Sequence, residues 1–113
     1  MITEKGTLII GVEYEGKTHK EFELRPQLVS DSVDAVEDDR AKRNDSYLGL
    51  CILAKQIVKL GDIPKEKINA EMLMNMYETD LAVISDAARR LQKRLQSFRR
   101  EDKAIKEAHA GNA

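Results

Sequence analysis

Between Thr79 and Arg100, Leu81, Ile84, Ala88, Leu91, Leu95 and Phe98 recur at three- and four-residue steps. That spacing predicts an apolar stripe along a helix of roughly six turns, and such a stripe has to be covered by something. The opposite face carries Arg89, Arg90, Lys93, Arg94, Arg99 and Arg100, so the helix is apolar on one side and strongly basic on the other. A chain of 113 residues leaves room for one domain with one modest core. With aromatics at 4% and no Trp, that core is aliphatic.

The first candidate cover is N-terminal. Leu8, Ile10, Val12 and Tyr14 alternate with Thr7, Ile9, Gly11 and Glu13, and a second alternating segment runs from Thr18 to Leu24. This predicts a β-hairpin. A three-residue loop, Glu15-Gly16-Lys17, sets Ile10 opposite Phe22 and Leu8 opposite Leu24, which places the apolar residues on one face. Two strands alone are marginal in water, so that face is expected to lie on helices.

Pro26 ends the second strand, and Ser30 or Asp31 is placed to cap a short helix to about Glu37 with Val33 and Val36 as its apolar contacts. Glu37–Asp45 is the most polar stretch and reads as a solvated loop, its acids not metal ligands. From Ser46 to Leu60, Tyr47, Leu48, Cys51, Ile52, Leu53, Ile57, Val58 and Leu60 cover more than one stripe, which predicts a central helix packed on two sides and terminated by Gly61. Asn69 caps a short turn carrying Met72, Leu73 and Met76, and Thr79 caps the long helix. The expected fold is α+β, an N-terminal hairpin packed on three to four helices over residues 1–100, with 101–113 a polar tail that frays.

The charges nearly cancel, to a formal −1, but they are segregated. Arg89 to Glu107 holds eight Lys or Arg against three Asp or Glu, a local +5 that leaves −6 on the rest. A basic C-terminal arm thus follows an acidic body. One reading of that arm is a small nucleic-acid-binding or regulatory module, because clustered cations neutralise phosphates. Against it, no aromatics are interleaved for base stacking and the pI is about 6.1. A solvated face, or one meeting an acidic partner, fits the pattern better, and nucleic acid is not the expected partner.

Gly11 to Thr18 satisfies the spelling GxxxxGK[ST] of a phosphate-binding loop. That loop requires a helix starting at its Lys-Thr, whereas here THKEFELRP alternates as a strand, and Glu13 and Glu15 would oppose an anion. His19 and His109 lie far apart in polar surroundings and are expected on the surface, and the lone Cys51 is expected to be buried and inert. No residue stands in a nucleophile or metal-ligand pattern, so the chain is read as no enzyme and as needing no cofactor. With no apolar run near the ~20 residues that cross a bilayer, a soluble cytoplasmic protein without a membrane partner is expected.

The order of elements, with ELRPQLVSDSVDA after the hairpin, AKQIVKLGDIP at the end of the central helix and INAEMLMNMYETDLAVISDAARRLQKRL beyond it, resembles the small tail assembly chaperones of Mu-like long-tailed bacteriophages and prophages. The resemblance spans roughly Gly6 to Phe98 and includes Leu24-Arg25-Pro26 and the Thr79-Asp80 pair. It implies a non-enzymatic role in the cytoplasm of the bacterial host. The implied partner is the long helical tape measure protein, kept soluble until tail tube subunits displace the chaperone. Methionine is flexible and polarisable, so Met72, Met74, Met76 and the adjoining Tyr77, with the exposed edge of the last helix, are the expected contact surface. Self-association is the other way to satisfy so long an amphipathic helix.

Overall fold

The structure, a computed structural model, describes residues 2–111, with side chains described as far as residue 99. Strands β1 (Glu4–Tyr14) and β2 (Lys17–Leu24) are followed by α1 (Val29–Ala35), α2 (Asp39–Arg43), α3 (Asp45–Gln56), β3 (Ile57–Leu60), α4 (Ala70–Met74) and α5 (Glu78–Gly111). The strands form one antiparallel sheet in the order β1-β2-β3. This is the α+β fold that the sequence predicts, with a third strand added. Helix α5 packs along β1, and α1, α2 and α4 gather around α3. Leu8, Phe22, Leu24, Ile57 and Leu60 of the sheet meet Ile84, Ala87 and Leu91 of α5, Ala54 of α3 and Leu73 of α4 in one buried cluster. Each of the larger side chains contributes roughly 1.5–3 kcal/mol by leaving water.

The hairpin turns on two residues, not three. Glu15 and Gly16 have φ of 50° and 76°, so Tyr14 pairs with Lys17 and Val12 with His19. Two positive φ values in succession define the tight turn whose twist matches that of the strands. A two-residue loop alone would set the apolar faces against each other. The chain resolves this with a bulge, in which the four residues Leu8–Gly11 stand against Lys20 before pairing resumes at Thr7 and Glu21. Gly6, in place of Ile10, then lies opposite Phe22, and a Cβ on Gly6 would fall on the Phe22 ring.

The apolar run expected to be one helix from Ser46 to Leu60 is split. Asn44 Oδ1 accepts the Tyr47 N–H at 3.1 Å to start α3, and Lys65 Nζ donates to the carbonyls of Ala54 and Ile57 at its end. Ile57–Leu60 leaves as β3, pairing Leu60 with Phe22 and Lys59 with Glu23. Gly61 therefore ends a strand; its N–H donates to the Glu21 carbonyl at 2.8 Å. The expected solvated loop contains α2, capped by the Asp38 carboxylate and anchored by buried Ala41 against Tyr47 and Ala70. Asn69 caps α4 as expected, whereas α5 begins one residue before Thr79, with the Tyr77 carbonyl accepting from Asp80 and Leu81.

Helix α1 is inverted relative to expectation. It buries Asp31 and Ala35 and turns Val29, Val33 and Val36 outward, Val29 with 84% of its surface exposed. The cause is Arg25, whose Nη1 and Nη2 each donate to one Asp31 oxygen at 2.8 Å, while the Leu28 N–H donates to Oδ2 at 2.8 Å. The Arg25 hydrogen bonds hold the Asp31 carboxyl below its ordinary value against the opposing effect of burial. Arg25→Ala leaves that carboxylate without its counter-ion and is expected to cost about 2 kcal/mol, measurable by urea unfolding.

Candidate functional site

The residues 9–11 in the bulge point three successive N–H groups to one side, a backbone nest suited to an anion. Gly11 makes this possible with φ of 100°. The anion is Asp80 of the same chain, in the first turn of α5. Its Oδ1 accepts from Ile9 at 2.7 Å and Ile10 at 3.0 Å, and its Oδ2 from Gly11 at 2.9 Å. Asp80 is fully buried. Burial alone would raise its carboxyl, but donation from Ile10, Gly11 and Ile9, with Lys20 nearby, outweighs that and lowers it. The glycine that opens the phosphate-loop spelling thus does help to hold an anion, supplied internally.

Two lowered carboxyls, Asp31 and Asp80, fix the sign of the acid response. A depressed folded-state value means stability that is complete above the ordinary carboxylate range and lost as pH falls through it. Urea midpoints are therefore expected to hold at neutral pH and to decline below about pH 4.

Pinning Asp80 fixes what precedes it. Tyr77 and the half-buried Met72 and Met76 stand across from Gly11, Val12 and Glu13, and with Asn75 enclose a shallow groove of about 310 Å³. Tyr77 is 63% exposed, and Ile9 and Ile10 of the bulge are also exposed, Ile9 by 62%. Of the expected contact residues the fold thus brings Met72, Met76 and Tyr77 together. Met74 is exposed at the C-terminal end of α4 but does not line the groove. Sequence alone missed the opposing wall, because only the bulge places Gly11–Glu13 against α4.

Three cations of the basic face of α5 are paired within the chain, though each stays about half exposed or more. Arg90 Nε and Arg94 Nη1 donate to the two oxygens of Glu4 at 3.2 and 2.8 Å, Arg94 also to the Thr3 carbonyl, and Arg89 pairs with Asp86 at 3.0 Å. Lys93 and Arg99 are exposed, while the Arg100 side chain lies outside the described residues. His19 is buried, contrary to expectation. Its Nδ1 accepts the Asp62 N–H at 3.2 Å, which leaves the proton on Nε2 facing the Tyr14 carbonyl, and a Cβ on Gly61 would fall on its ring. The His109 side chain lies outside the described residues. Cys51 is half-buried, and burial, with Asp38, raises its thiol, which keeps it protonated. Among the described residues, no group of three or more His, Cys, Asp or Glu is placed to hold a metal ion, and no helix is long and apolar enough to cross a membrane.

Fold and site together define a small α+β domain that offers apolar surface and a nest filled from within. No family model, no curated protein and no solved structure matches the chain.

Proposed function

We propose that this chain is a phage tail assembly chaperone, a binding protein without catalytic activity that holds a tape measure protein soluble in the bacterial cytoplasm until the tail tube polymerises. The observation that carries the reading is the groove between Met72, Met76 and Tyr77 on one side and Gly11–Glu13 on the other, with Ile9 and Ile10 exposed on the adjoining bulge. A soft, methionine-edged groove accommodates apolar stripes of varied helices, and shallow contact gives the modest affinity that later displacement requires. The nucleic-acid reading is weakened because Arg89, Arg90 and Arg94 already face carboxylates of this chain.

The test is capture of the tagged protein from cells assembling tails, in low and in high salt. A large helix-rich protein retained at high salt is the expected result. Tyr77→Ser is expected to reduce its retention about tenfold, the usual scale for losing an aromatic anchor, and Met74→Gln to leave it unchanged. Nucleic acid alone, lost as salt rises, would overturn the proposal.

A further inference from the structure

The first strand contains a segment of a kind that folded proteins keep from pairing. Thr7–Val12 reads TLIIGV, with four β-branched residues, no charge and no Pro. That is the composition of segments that stack as identical strands, each copy pairing with the next. Lys5 lies shortly before it and Glu13 directly after it, charges of the kind that bound such stretches. The strand order β1-β2-β3 leaves β1 at an edge of the sheet, where a further strand would add. Ile9 and Ile10 are open there, 62% and 44% exposed. Composition and position therefore mark the same six residues as a template for self-pairing.

The groups such pairing needs are already taken. A strand adding to an edge bonds to its outward N–H groups. In this chain the N–H groups of Ile9, Ile10 and Gly11 converge on the Asp80 carboxylate, at 2.7, 3.0 and 2.9 Å. Asp80 is fully buried, so an incoming strand cannot reach those donors while it stays. The bulge opposite Lys20 also bends the edge out of the straight line that a ladder follows. The start of the strand is guarded differently: Arg94 holds the Thr3 carbonyl and the Glu4 carboxylate, and Lys5 carries a charge. The uncharged part of the edge is thus the part that Asp80 fastens.

We infer that Thr7–Val12 is a latent self-assembly segment, and that Asp80 keeps it from pairing with the same segment of a second copy. The carboxylate then has two separable effects. It stabilises the fold, and it withholds the donors that a cross-β stack requires. The second effect persists when stability is held equal, which makes it measurable.

Fibre formation by the purified full-length chain, followed by thioflavin T fluorescence, tells the two apart. Asp80→Asn is compared with a chain carrying Arg25→Ala and Gly16→Ala, whose distant sites together remove about as much stability and leave residues 9–11 bonded to Asp80. Equal urea midpoints confirm the match, and sucrose added to every sample alike keeps both chains folded. Asp80→Asn is expected to form fibres after a lag about tenfold shorter than the matched chain. Ile9→Lys, at an exposed position, is expected to abolish that difference when added to Asp80→Asn, with the urea midpoint unchanged, because stacked lysines repel. Equal lags in the two matched chains would mean that unfolding alone drives assembly, and overturn the inference. So would an Asp80→Asn chain that stays soluble, or one whose lag Ile9→Lys leaves as it was, since another segment would then be pairing.

Discussion

Asp80→Asn is expected to lower folding stability by about 3 kcal/mol, the largest loss we anticipate from removing one charge anywhere in the chain. The substitution keeps the volume and one acceptor. The amide oxygen can still take Ile9 and Ile10, but its NH2 then faces the Gly11 N–H, donor against donor, in a site closed to water. Hydrogen bonds to a charged acceptor are worth roughly 1.5–3 kcal/mol each, and a buried donor left unpaired costs a similar amount. The measurement is a urea melt at neutral pH, with the m-value checked for two-state behaviour. The variant should also show a shallower decline in acid, since one of the two lowered carboxyls is gone. A shift below about 1 kcal/mol would mean that packing of α5 on the sheet holds the bulge without the carboxylate.

Gly11→Ala attacks the same joint from the strand and is expected to cost about 3 kcal/mol. At φ of 100° an L side chain is strained, and the added Cβ would stand 2.6 Å from Thr18 Cγ2 and 3.0 Å from the His19 carbonyl. Gly16→Ala separates the two causes. Its φ of 76° carries similar strain, yet nothing lies within 4 Å of the added methyl, so about 1 kcal/mol is expected. Combined with Asp80→Asn, Gly11→Ala should cost less than the sum, because each removes an interaction that needs the other. Full additivity would show that the bulge and the carboxylate act independently.

Legibility in the sequence followed periodicity. The hairpin was readable from its alternation, and α5 from the three- and four-residue spacing that ends buried at Ile84 and Leu91. The third strand was hidden because apolar residues recur on both sides of Lys55-Gln56 in LGLCILAKQIVKL, and a stretch of that length reads as one helix. Its one local signal is the β-branched pair Ile57-Val58 just before Gly61. Register failed at the bulge, since whole-strand alternation cannot report extra residues opposite Lys20. The inversion of α1 was invisible for another reason. A buried Asp31 is tolerable only with Arg25 folded onto it, a contact across six residues that no helical period encodes. Asp80 belongs to the same class, because its partners lie 69–71 residues away along the chain.

That last separation has a consequence for the order of events in folding. The first strand is fastened by groups from the last helix, Asp80 to residues 9–11 and Arg94 to Thr3 and Glu4. A nascent chain emerging from the ribosome therefore presents β1 long before its latch has been synthesised, and the hairpin waits with its apolar side uncovered. Loop closure over such a span is slow relative to local pairing. Completion of the fold is thereby deferred until α5 has been made and can close onto the first strand.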